Sequence, residues 1–189
     1  MSERIARLPT VYTVGHSNRS IEYLLKILRA VEVRQLVDVR AYPTSAKHPQ
    51  FARECLQRAL ADSGITYFWA GSRLGGMRKG HPTSPHRAIA SSSLRAYADY
   101  METHEFRNAI DGLIDSAKAT RTVLLCAERD PLQCHRSLIA DCLTYRDIQV
   151  RHLIDDRESW LHQLNSLARL TGDHLVYDRG TTCKLDLEQ

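Results

Sequence analysis

No apolar run in the 189-residue chain approaches the roughly 20 residues that a membrane-spanning helix needs. The opening MSERIARLPT carries an acid and two arginines but no apolar core segment, so it does not read as a secretory leader. Together these absences set the expectation of a cytoplasmic protein with no membrane partner. No repeat or low-complexity tract occurs. The five cysteines, at 55, 126, 134, 142 and 183, contain no C-x₂-C pair, which argues against structural zinc. Without an export signal they are expected to be reduced thiols. No Walker sequence or G-x-G-x-x-G fingerprint is present, so neither a P-loop nor a dinucleotide fold is supported. Leu132 stands six positions after Cys126, where a cysteine-phosphatase loop needs arginine. Finally, no Asp or Glu occurs from Ser63 to Ala98.

What is present fits a soluble globular domain. Hydrophobic residues make up 43% and charged residues 25% of the chain. Its net charge of +4 permits an anionic partner without requiring one. Short β-branched runs alternate with helical periodicity. Strands are expected at 10–15, 35–41, 65–70, 122–128 and 150–155. Helices are expected after Ser20, from Pro49 toward Gly64 with Cys55 and Leu56 facing inward, over 94–103 and 105–119, and from Pro131 to Arg146. Trp160, Leu161, Leu164 and Leu167 suggest a last helix. This alternation predicts one α/β domain over 1–171, with a mostly parallel central sheet of about five strands and helices on both faces. Residues 172–189 read as a C-terminal tail or extra edge element, with a short strand near Leu175–Tyr177.

In such sheets, sites form beyond the carboxyl ends of the strands. Polar residues gather at that edge in four segments: Gly15-His16-Ser17, Asp38-Val39-Arg40, the loop from Gly71 to Gly76, and Cys126-Ala127-Glu128. Asp38 in a central strand needs a partner, which Arg40 could supply. The stretch LLCAERDPLQCHR brings two thiols, an imidazole and an arginine into one loop. His135 falls on the inward stripe of the expected helix, with Cys134 and Arg136 on its flanks. A helix start also favours anions and lowers a nearby thiol pKa. The plainer alternative is a buried His135 bonded to a strand carbonyl. The acid-free loop 71–93, with its arginines and glycines, reads as a lid or groove for phosphate, or as a solvated connection.

The motifs TVGHSNRS, LVDVRAYPTS…HPQF, LGGMR and LLCAERDPLQCHRSLIA resemble the bacterial and archaeal family of domain of unknown function 488 over about residues 11–155. The resemblance implies a single cytosolic α/β domain carrying these motifs and assigns no role to any residue.

Two functions follow from the residues. The first is an enzyme acting on a phosphate-bearing substrate, a nucleotide or nucleic acid. Its candidate catalytic residues are His16, Glu128, Cys134 and His135. Its candidate substrate-binding residues are Ser17, Asp38, Arg40, Arg73, Gly75, Gly76, Arg78 and Arg136. The second is a non-catalytic nucleic-acid-binding or metal-sensing module, using loop 71–93 for backbone contacts and Cys126, Cys134 and His135 for a ligand. No cofactor is required by the sequence, and a metal is possible at those three residues.

Overall fold

The computed structural model describes residues 8–44 and 47–180. It is α/β, with a six-stranded sheet in the order β3-β2-β4-β1-β5-β6. The strands are β1 (Thr10–Gly15), β2 (Gln35–Asp38), β3 (Thr66–Trp69), β4 (Thr122–Cys126), β5 (Gln149–Leu153) and β6 (Ser159–Leu161). The first five are parallel, and β6 runs antiparallel along β5. β2 and β4 are buried along their whole length, as expected where helices cover both faces of a parallel sheet.

The helices are α1 (Ile21–Ala30), α2 (Arg53–Asp62), the short α3 (Gly71–Leu74), α4 (Ser92–Met101), α5 (His104–Ala119) and α6 (Arg136–Tyr145). Ser20 caps α1 by accepting from the amide of Tyr23 at 3.2 Å, and Glu22 sits in the first turn. α1 and α2 pack Leu24, Leu28, Leu56 and Leu60 on one face of the sheet, against Val14, Leu36 and Leu125. α4, α5 and α6 cover the other face, with Tyr97, Phe106, Ile110 and Ile139 against Val11, Val39 and Leu124. β7 (Ala168–Thr171) and β8 (His174–Tyr177) form a separate hairpin whose Leu175 and Tyr177 are buried in that second layer.

Three sequence expectations are corrected. The helix expected from Trp160 to Leu167 is absent: residues 159–161 form β6, with Trp160 paired to His152. Its apolar spacing satisfied a helical period, but the open edge of β5 takes the segment as a strand. The helix expected from Pro131 to Arg146 is broken. Pro131–Gln133 is a 3₁₀ turn capped by Asp130, Cys134 is extended at φ −133° and ψ 146°, and α6 begins at Arg136. Cys55 is exposed, because the inward stripe of α2 runs through Leu56 and Leu60. Cys183, with the rest of the segment 181–189, lies outside the described residues.

The connections create a cleft. β1 and β4 are neighbours, yet β1 leads into α1 on one face and β4 into α6 on the other. Divergent chains open a crevice beyond the carboxyl ends of the two strands, where ligands bind in open α/β sheets. Among the described residues, no helix is long and apolar enough to cross a membrane.

Candidate active site

A cavity of about 490 Å³ occupies this crevice, within the size range of small-molecule sites. Its walls come from five segments, one of them the start of α4 with Ser93 and Leu94. β1 delivers His16. The end of β2 delivers Arg40. The loop after α3 delivers Gly76. β4 and the turn after it deliver Cys126, Glu128, Cys134 and His135.

The parallel ladder continues past the strand ends, with the amides of His16 and Ser17 donating to Cys126 O (3.0 Å) and Ala127 O (2.8 Å). Gly15 allows this: a Cβ there would lie 1.7 Å from the Glu128 carbonyl oxygen. Nδ1–H of His16 donates to the Ser17 carbonyl at 2.9 Å, and its Nε2 accepts from Arg40 at 3.3 Å. The ring stacks on Phe51 with centroids 4.4 Å apart. Burial, aided by the Arg40 charge, lowers the His16 pKa to about 4, so the ring is neutral at physiological pH.

Arg40 meets Asp38 in a forked pair, Nε–Oδ1 2.9 Å and Nη2–Oδ2 2.6 Å, and donates to the Phe51 carbonyl at 2.9 Å. The Arg40 amide, at 3.0 Å, and the Tyr67 hydroxyl, at 2.8 Å, also donate to Asp38. The carboxylate is fully buried and well provided with donors. Asp38 therefore holds Arg40 at the wall rather than lining the cavity itself.

The break before α6 places Cys134 at the cavity floor. Nε2–H of His135 donates to the Val39 carbonyl at 3.2 Å, which leaves Nδ1 facing Cys134 Sγ at 3.7 Å and Cys126 Sγ at 3.9 Å. From the other side Arg136 Nε donates to Cys134 Sγ at 3.4 Å. Arg136 is 1% exposed and lies behind the floor, not in it. Burial by itself would raise the Cys134 pKa. Hydrogen bonds from Cys126 and His135, with the positive charges of His135 and Arg136, outweigh burial and hold the thiol well below its usual range. Cys126 moves the other way. It keeps its proton, shared toward Cys134 and toward Glu128 Oε2 at 3.0 Å.

His16, Arg40, Gly76, Cys126, Glu128, Cys134 and His135 thus share one cavity. Ser17 lies just behind it, at a left-handed φ of 49°. Arg73 lines a different groove, beside Phe68 and Trp69. Arg78 turns back on its own loop, donating to Gly75 O at 2.9 Å and Ser72 O at 2.8 Å, with its guanidinium 3.6 Å over the Tyr100 ring. The loop expected as a lid is fastened elsewhere too, by Ala88 N to Tyr177 O (2.9 Å) and His81 N to Asp99 Oδ2 (2.8 Å). Sequence reasoning missed Lys47 and His48 on the cavity wall; only their basic character, next to Pro49, hinted at them.

A family model described as "Domain of unknown function DUF488" matches residues 20–143. The chain belongs to the DUF488 family. The DUF488 match takes in Arg40, Gly76 and the whole of the Cys126–Arg136 segment, and stops short of β1 with His16 and of β5 to β8. Comparison with curated proteins and with solved structures gives no match.

Cys126 Sγ, Cys134 Sγ and His135 Nδ1 lie within 4.8 Å of one another, a soft set of the kind zinc accepts. Arg136 is a fixed cation already pointed at one of the two sulfurs, so the thiolate has its counter-ion without a metal.

Gly76 gives a direct test of the thiol–imidazole arrangement. A Cβ at this position would come within 2.6 Å of His135 Nδ1. Gly76→Ala is expected to push the ring off the sulfurs, slow alkylation of Cys134 at least about tenfold, and cost roughly 1–3 kcal/mol of stability, as overpacking does. Iodoacetamide rates followed on the Cys134 peptide check it; an unchanged rate would show that the ring position does not govern the thiol.

Proposed function

We propose that the protein is a thiol-dependent enzyme acting on a phosphate-bearing substrate of nucleotide size. The observation that supports it most is Cys134 Sγ held between His135 Nδ1 at 3.7 Å and Arg136 Nε at 3.4 Å, at the floor of an open cavity. A cysteine paired with an imidazole and oriented by a third group is the activated-nucleophile arrangement. The cavity rim supplies the Lys47 cation, beside the Arg40–Asp38 pair, and Glu128 is the one acid among the described residues lining it. Phosphate is the handle and carbon the reacting atom, since phosphatase spacing is missing. The Cys134 thiolate forms a bond to an electrophilic carbon. The bond from that carbon to its leaving group breaks, and the proton on His135 Nδ1 passes to the leaving atom. Water then releases the carbon, with Glu128 accepting the water proton and returning it through solvent to His135 Nδ1, and the thiolate restored.

A panel of nucleotides and phosphorylated sugars, screened by thermal shift and turnover, tests this. At least one member is expected to raise the melting temperature of both wild type and Cys134→Ala, and to be turned over by wild type alone. Turnover by the alanine variant would remove the thiol from the mechanism. A panel that shifts nothing would remove the phosphate handle. The second reading, a soft-metal centre, draws on the clustering of the three donors. One zinc bound tightly per chain, protecting Cys134 from iodoacetamide, would replace the thiol reading.

A further inference from the structure

A file of buried polar side chains runs from the site floor along the inner side of α6. Arg136 Nη1 donates to Thr13 Oγ1 at 3.3 Å. Thr13 Oγ1 lies 2.6 Å from His152 Nδ1, and His152 Nε2 lies 2.9 Å from His162 Nδ1. His162 Nε2 reaches Asp141 Oδ1 at 2.9 Å. Asp141 also accepts from the Asn165 amide at 2.8 Å and from the Tyr177 hydroxyl at 3.0 Å. Thr13, His152 and Asp141 are all fully buried.

With both rings neutral, one proton arrangement satisfies every link. The Asp141 carboxylate can only accept, so His162 carries its proton on Nε2 and presents a bare Nδ1. That nitrogen takes the Nε2 proton of His152, whose bare Nδ1 takes the Thr13 hydroxyl. The oxygen of Thr13 then has only lone pairs to offer, and Arg136 fills them. Burial favours the neutral ring this requires, lowering the His152 pKa to about 3. All donors point the same way, from a buried cation at one end to a buried anion at the other. Such a chain polarises cooperatively in a low-dielectric interior. It is also built by register: Thr13 and His152 are direct partners across β1 and β5.

We infer that Asp141, His162, His152 and Thr13 are positioning residues that aim Arg136 at Cys134 and thereby tune the reactivity of that thiol. The inference rests on the proposed role of Cys134. None of the four lines the cavity; they act through Arg136, whose Nε meets the sulfur while its Nη1 is held by Thr13.

The experiment is the pH profile of iodoacetamide alkylation, followed on the Cys134 peptide by mass spectrometry, with a melting curve for each variant. Wild type is expected to react with a midpoint well below the usual thiol value of about 8.5. Thr13→Val, which keeps the shape and removes the hydroxyl, is expected to move that midpoint up by about one unit and slow the reaction at neutral pH about tenfold. Asp141→Asn is expected to move it in the same direction, and Thr13→Ser to restore the wild-type profile. A wild-type midpoint near 8.5 would sink the thiol reading itself. A low wild-type midpoint unchanged in Thr13→Val, or moved equally by Thr13→Ser, would overturn the relay alone. Should Asp141→Asn fail to fold, the two Thr13 variants decide.

Discussion

His135→Ala is expected to lower the proposed turnover by roughly 10²–10⁴-fold, the range for loss of a positioned acid–base group, and to leave a folded domain. The ring has two jobs that separate cleanly. Its Nε2–H satisfies the Val39 carbonyl at 3.2 Å, and its body packs against Tyr97 with centroids 5.0 Å apart. Removing it strands that carbonyl, at about 1–3 kcal/mol, well within the stability of an ordinary domain. Its Nδ1 faces both sulfurs, and in the proposed reaction it takes the proton of Cys134. Melting and turnover are measured on the same mutant. Activity per folded molecule that stays at the wild-type level would make His135 a packing residue and dissolve the Cys–His pair.

Acid weakens the fold through buried histidines before it touches most carboxylates. The folded pKa values, about 4 for His16 and about 3 for His152, both lie below the ordinary 6.5, because burial penalises the charged ring. Above pH 6.5 neither state binds the proton and stability is full. Below it the unfolded chain takes up protons that the native rings refuse, so stability falls with pH, down to about 4 for His16 and about 3 for His152. At about 1.4 kcal/mol per pH unit of displacement, His16 alone accounts for about 3 kcal/mol. Denaturant melts from pH 7.5 to 4 are expected to fall steeply below 6.5, and less so in His16→Gln. A flat profile between pH 7 and 4.5 would show that these rings are charged in the folded protein.

Much of the architecture was legible because buried parallel strands are nearly continuous apolar runs: TVLLC and QLVD could hardly be read otherwise. The polar residues that follow such runs, among them His16, Arg40 and Glu128, do meet at one crevice. The misreadings have local causes. β6 is three residues long, too short to show an alternating period, and Leu164 and Leu167 supplied a false helical one. The start of α6 looked continuous because Asp130 and Pro131 are good helix-start residues; they cap a 3₁₀ turn, and the extended Cys134 is set by tertiary contacts. Arg78 carried the right charge for phosphate, but two backbone carbonyls and the Tyr100 ring occupy it. The relay was hidden for a different reason. Its members are scattered along the chain at 13, 141, 152 and 162, and only the register of β1 on β5 reveals that Thr13 and His152 belong together.

The strand order also dictates a timetable for synthesis. β1 emerges well before its partners, β4 and β5: Val11 sits against Thr122 on one side and Val150 on the other. At about 5–20 residues per second, the growing chain holds this apolar strand unpaired for several seconds to tens of seconds. The piece of sheet that carries His16 is thus made before its partners and is fully paired only once both β4 and β5 have emerged.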